Sequence, residues 1–169
     1  ELIEKDKEYC LGSYCFLWGQ KQESTATWHG MFLSNGKPTE AVDVMQYCWT
    51  GEWPQSRAPS IKNISLENIG WRKDHILSPS TQATLSIEYN KYNNKKVIVE
   101  YVLFPEAFSD KIGGDIQKSP DPIEFEIVKK SDTELTFISP NKKGAYRLFA
   151  YVKNEIGQSS VANIPFLVE

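Results

Sequence analysis

The sequence predicts a mainly β protein, two packed antiparallel sheets preceded by a single β-loop-α unit. Three observations carry that reading. From residue 58 onward, short runs rich in β-branched and aromatic residues recur between turn signals, with no helical period. Residues 1–57 hold all three Cys and four of the five Trp, with 5 Lys+Arg against 8 Asp+Glu, whereas residues 58–169 carry 14 charges of each sign. Between the two lies Pro54-Gln-Ser-Arg-Ala-Pro59, a Pro-bracketed polar stretch that reads as a domain boundary. The expected division is therefore 1–57 and 58–169.

In the first segment, Leu11 to Trp18 (LGSYCFLW) is a nearly continuous apolar run. Without alternation it suits a strand covered on both faces, as in a parallel sheet. Gly19 to Gly30 mixes Gln, Glu, Ser and Thr with Trp28 and His29, too polar for a core element. From Pro38 or Thr39 a helix opens, with Glu40 and Asp43 in its first turns, where carboxylates favour the helix dipole. Ala41, Val42, Met45, Cys48 and Trp49 give it one apolar face, Gly51 a C-cap and Pro54 a stop. One βα unit cannot bury itself. The expectation is the end of a larger fold, in keeping with a chain that opens at Glu1 without Met or a signal peptide.

In the second segment, seven strands are expected: 60–67 with one irregularity, 83–89, 96–104, 124–128, 134–138, 146–153 and 161–168. Val97, Val99, Tyr101 and Leu103 share one face, Ser131-Asp-Thr133 makes a turn, and Asn154 to Gly157 a hairpin. Seven strands in about 110 residues is the signature of an immunoglobulin-like or fibronectin-type β-sandwich.

Composition excludes several function classes. Hydrophobic residues make up 40% and charged residues 24%, ordinary for a folded domain. No run approaches the 18 or so apolar residues of a membrane span. A net charge of -3 with scattered Lys and Arg argues against a nucleic-acid partner. Cys10 and Cys15 would lie on opposite faces of one strand and cannot bridge, and Cys48 reads as a buried free thiol. With two widely separated His no metal site is expected, and no sequence pattern implies a cofactor. Asn63-Ile-Ser65 fits a glycosylation acceptor, a pattern that often arises by chance.

Cys10-Leu-Gly-Ser-Tyr-Cys-Phe-Leu-Trp-Gly-Gln20, Thr27-Trp-His-Gly-Met-Phe32, Thr39-Glu-Ala-Val-Asp-Val44 and Trp49-Thr-Gly51 together resemble the last βα unit of a glycoside-hydrolase TIM barrel of the family-2 type. Gly144 to Gln158 resembles the penultimate strand and turn of the bacterial sandwich modules that commonly follow such barrels, with Tyr146 as the corner tyrosine. The resemblance implies an immunoglobulin-like β-sandwich preceded by a βα remnant of a TIM barrel, in the C-terminal region of a glycoside hydrolase. The sandwich would support the missing barrel. Trp18, at a strand end, would stack on a sugar, with Gln20, Glu23, Trp28 and His29 lining the site. The catalytic carboxylates of such barrels lie on strands absent here, so no catalytic residue is assigned and the chain alone is expected to be inactive. The alternatives are a carbohydrate-binding module and a structural spacer. The expected partners are the barrel, a carbohydrate, and a second copy of the chain through residues 1–57, whose apolar surface lacks its neighbours. The compartment stays open, with an extracytoplasmic setting favoured.

Overall fold

The structure is a computed structural model describing residues 5–6, 8–23, 25–26, 30–93, 96–108 and 117–169. Among the described residues its elements are the helix α1 (Glu40–Thr50) and the strands β1 (Ser60–Leu66), β2 (Ile69–Gly70), β3 (Ile76–Leu77), β4 (Gln82–Asn90), β5 (Val97–Pro105), β6 (Ile127–Lys130), β7 (Glu134–Ile138), β8 (Gly144–Asn154) and β9 (Ser159–Val168). Six of the seven expected strands are present near their expected places; the one expected at 124–128 is displaced, with β6 at Ile127–Lys130, and β2 and β3 are short additions. They form two sheets, ordered β2-β1-β4-β7-β6 and β3-β9-β8-β5. Every pairing between named strands is antiparallel except β3 with β9. Among the described residues, no helix is long and apolar enough to cross a membrane.

The alternation of side chains builds the core. Val97, Val99 and Leu103 point inward from β5, and Leu148, Ala150 and Val152 from β8. They meet Ile64 and Leu66 of β1, Leu85 of β4 and Leu135 and Phe137 of β7 across the sandwich. Phe137 sits 6.2 Å from Phe166 and edge-on to Phe125 at 5.8 Å. The irregularity in β1 is a bulge: its register on β4 shifts between Ile61 and Asn63. The link from β1 to β2 is a two-residue turn with positive φ at both Glu67 (51°) and Asn68 (62°), the geometry that matches strand twist. Tyr146 donates its hydroxyl to the Lys142 carbonyl (2.7 Å), which pins the corner before β8.

The first segment differs from expectation. Leu11–Trp18 is no strand: its one ladder contact is an isolated bridge from Leu17 to Gly30. Tyr14 is 99% exposed and Leu11 fully so. A parallel strand needs partners on both edges and cover on both faces, and nothing among the described residues supplies them. The βα remnant of a TIM barrel is therefore not formed, although its helix is. α1 is capped as its sequence requires. Thr39 Oγ1 accepts from Ala41 N–H (3.3 Å), and Gly51 takes the left-handed C-cap at φ 77°.

That helix docks by its polar side. The residue of α1 that is buried is Asp43, at 4% exposure, whereas Cys48 and Trp49 are exposed. Asp43 Oδ2 accepts from the Ala58 N–H (2.6 Å), and Glu40 Oε2 from the Ser160 hydroxyl (3.1 Å). Ser159 N–H donates to the Pro38 carbonyl (3.0 Å), Ser56 to Gln158 Oε1 (2.8 Å), and Asn154 Nδ2 to the Arg57 carbonyl (3.2 Å). The Arg57 guanidinium lies 3.6 Å from the Trp53 ring centroid and 3.7 Å from that of Tyr92. Residues 54–59 are thus tied to both the helix and the β8–β9 hairpin.

Two outcomes follow. Phe137→Ala empties the centre of the sandwich and should lower stability by about 3–5 kcal/mol in chemical denaturation. Burial pushes the Asp43 carboxyl above the usual carboxylate range, against the lowering pull of the Ala58 N–H and the Arg57 charge. A raised folded pKa means the fold prefers the protonated form. That contribution is complete below about pH 4 and fades as pH rises through the raised value. Asp43→Asn removes this titration, so the stability of the wild type relative to the variant should fall between about pH 4 and pH 7. A constant difference across that range would contradict the assignment.

Candidate functional site

The outer face of β8 is the unusual surface of this sandwich. Phe149 and Tyr151 alternate with the inward Leu148, Ala150 and Val152, so they point away from the core. With Phe104 of β5 they form an aromatic row: Phe104 meets Phe149 edge-on at 5.5 Å, and Phe149 stacks on Tyr151 at 6.1 Å. Such a row cannot face water cheaply. Gln20, Gln22, Thr25, Ala26, Leu33 and Ser34 lie over it, with Leu33 itself buried. A Cβ at Gly30 would stand 2.7 Å from the Gly19 carbonyl oxygen, so the cover closes on itself only with glycine at that position.

Between cover and sheet lies a cavity of about 250 Å³. Its apolar wall is Phe104, Phe149 and Tyr151, and its polar wall includes Gln20, Ser119 and Arg147. Burial pushes the Tyr151 hydroxyl pKa up, with the Glu100 charge adding to the effect, so it stays a neutral donor and acceptor. Arg147 is compensated: Glu106 accepts from its Nε and Nη2 at 2.8–3.0 Å, and Asn163 Oδ1 accepts from Nη1 at 2.6 Å. Gln20 Nε2 donates to the Ala26 carbonyl, and Gln22 Oε1 accepts from the Ser119 hydroxyl (3.0 Å). The Ala26 bond fixes which end of the Gln20 amide is which. Its Oε1 is buried and has no hydrogen-bond partner.

The expected site residues fare unequally. Trp18 is 61% exposed and tilts on Phe32 at 5.4 Å; with no strand formed, it marks no strand end. Gln20 lines the cavity. Glu23 pairs with Lys21 (2.6 Å) and does not line it. Trp28 and His29 lie outside the described residues. Sequence reasoning missed Phe104, Phe149, Tyr151 and Arg147. Their signal was present, because Phe149 and Tyr151 occupy the outward positions of a strand whose inward positions are already filled. Such aromatics need a cover.

Elsewhere, His75 is buried before β3 with its Nε2 unpartnered. Burial lowers its pKa despite the raising influence of the Gly70 carbonyl and Asp74, which keeps the imidazole neutral. Among the described residues, no group of three or more His, Cys, Asp or Glu is placed to hold a metal ion. No disulfide joins Cys10, Cys15 and Cys48, and Cys48, expected to be buried, is exposed.

No family model matches this chain, and no curated protein matches it. Among solved structures it is similar to PcoC, a methionine-rich copper resistance protein of Escherichia coli, at 14% identity over 66% of this chain and 99% of that one, with a TM-score of 0.37. It is similar to the soluble domain of PmoD from a Methylocystis species at 11% identity, 65% and 97% coverage and a TM-score of 0.38. Murine CRIg aligns at 9% identity, 66% and 96% coverage and a TM-score of 0.35. These likenesses assign no ligand. The glycoside-hydrolase expectation is corrected by these findings. None of the similar chains named here is a glycosidase, no family model matches, and the strand that a barrel required does not form. The sugar-site roles of Trp18, Gln20, Glu23, Trp28 and His29 fall with it.

The Arg147–Glu106 pair holds the floor of the cavity and is mostly shielded from solvent. Glu106→Gln should cost about 1–3 kcal/mol in thermal or chemical unfolding by leaving the guanidinium without its counter-charge.

Proposed function

We propose that this chain is an immunoglobulin-like binding domain that associates with a second copy of itself through residues 1–57. One observation carries the reading. Tyr9, Leu11, Tyr14, Phe16, Trp18, Val44, Tyr47, Trp49 and Trp53 are all exposed. Together they amount to on the order of 1,000 Å² of mostly aromatic surface, more than the roughly 800 Å² per partner of a standard interface.

The surface supplies both halves of a self-complementary contact. Beside the exposed arm runs a groove lined by Met31, Ala41, Val44 and Met45 and bounded by Tyr14 and Phe16. A two-fold axis would seat each arm's aromatics in the other copy's groove, so one patch provides knob and hole on both sides. The polar docking of α1 fits this arrangement. Asp43 and Glu40 face the sandwich, while Val44, Tyr47 and Trp49 remain available to a partner.

Light scattering on the full chain tests it. The wild type should show twice the chain mass at about 50 μM. Phe16→Ser with Val44→Asp, both at exposed positions, should give a monomer with an unchanged melting temperature. A wild type that stays monomeric above about 200 μM, or a double variant that still dimerises, overturns the proposal.

A further inference from the structure

Arg57 holds an unused pair of hydrogen-bond donors at the edge of the exposed aromatic surface. We infer that its guanidinium is a fixed receptor for a carboxylate, and that in the dimer the partner's Glu52 supplies it. This rests on the self-association proposed above and names the polar contact that sets its register. Three features support it together.

The first is rigidity. The guanidinium carbon lies 3.6 Å from the Trp53 ring centroid and 3.7 Å from that of Tyr92, and Trp53 stacks on Tyr47 with centroids 4.4 Å apart. A guanidinium clamped between two rings keeps its planar fork pre-organised and donates in its own plane. The second is that the fork is unspent. Among the described residues, no group accepts a hydrogen bond from the Arg57 side chain. Asp43, which feels its charge, gives Oδ2 to the Ala58 N–H instead. Nε is closed off, whereas Nη1 and Nη2 are not. A carboxylate can therefore meet the fork end-on, one oxygen to each nitrogen.

The third is a matching acceptor on the same surface. Of the described carboxylates that precede Arg57, Asp6 accepts from the Tyr9 N–H, Glu23 pairs with Lys21, and Glu40 and Asp43 face the sandwich. Glu8 and Glu52 remain. Glu52 is the one that adjoins the stack, next to Trp53; it is exposed, and its carboxylate has no partner among the described residues. A two-fold contact requires donor and acceptor on one patch, so a bond from Arg57 to the partner's Glu52 implies the reciprocal bond as well. Tyr47 and Trp53 are exposed, which makes the clamp continuous with the aromatic surface that would be buried.

Analytical ultracentrifugation of the full chain gives the dimer dissociation constant. Glu52→Arg and Arg57→Glu each set like charges against one another at both contacts, and each should raise that constant roughly tenfold or more. Mixed in equal amounts, the two variants present opposite charges at both contacts. They should form a heterodimer roughly fivefold or more tighter than either variant with itself. Glu52→Gln removes the charge of the acceptor without touching the stack and should weaken dimerisation roughly fivefold. Each variant is first compared with the wild type by thermal melting. If Arg57→Glu is destabilised, the two Glu52 variants decide alone. A dimer that is indifferent to both Glu52 variants overturns this inference and leaves the self-association standing, as does a mixture of folded variants that gains nothing. A wild type that stays monomeric overturns both.

Discussion

β8 is apolar on both faces, and the rest of the molecule is arranged around that fact. Its inward residues Leu148, Ala150 and Val152 belong to the sandwich core. Its outward residues Phe149 and Tyr151, joined by Phe104 from the neighbouring strand, would face solvent in a two-layer sandwich with open outer faces. Phe149 is instead 2% exposed, as buried as the core itself. The cover comes from Gln20, Gln22, Thr25 and Ala26, polar and small residues that follow Trp18. A third, irregular layer is the result. It reaches the aromatic row through Gln20, Ser34 and the buried Leu33, and it leaves the cavity where its polar side chains do not fill the space above the rings.

Covering β8 determines what happens to the other apolar residues of the first segment. Gln20, Gln22, Leu33 and Ser34 lie over the sheet, and α1 is tied to Ala58 and Ser160 through hydrogen bonds. The polar residues of the helix therefore take the inside position. Tyr14, Phe16, Val44 and Trp49 are left outside. This inverts the usual order, in which the apolar stripe of a surface helix faces the core. The inversion is possible because the inward carboxylates of the helix have partners: Asp43 the Ala58 amide and Glu40 the Ser160 hydroxyl.

The sandwich was legible in the sequence to the level of individual strands, and even the bulge in β1 showed as a break in the alternation of Ile61, Ile64 and Leu66. Period-two burial imposes itself on residue order, so a strand buried on one face writes its own register. The caps of α1 at Thr39 and Gly51 were legible for a similar reason, because they are local. What misled was Leu11–Trp18. An uninterrupted apolar run is equally consistent with a strand buried on both faces and with an arm buried on neither, and periodicity cannot distinguish them. The helix face failed in the same way. Ala41, Val42, Met45, Cys48 and Trp49 recur at helical spacing, but spacing identifies a stripe and not the surface it meets.

The candidate site was half legible for a physical reason that extends beyond this chain. Gln20 stood out because it lies in a polar-aromatic loop, and its partners did not because each looked like an ordinary strand residue. Phe149 becomes conspicuous only when the other face of β8 is known to be filled, which requires the pairing of Phe149 with Val102 and Asn163 on its two neighbours. The cavity is thus a property of three distant stretches, near residues 20, 104 and 149, and no one of them encodes it. Leaving the Gln20 oxygen buried and unmatched would cost about 1–3 kcal/mol if nothing ever met it. That is a sizeable fraction of the marginal stability of a domain this size, and it is set against the bond that Gln20 Nε2 donates to the Ala26 carbonyl, which an apolar residue at position 20 would lose.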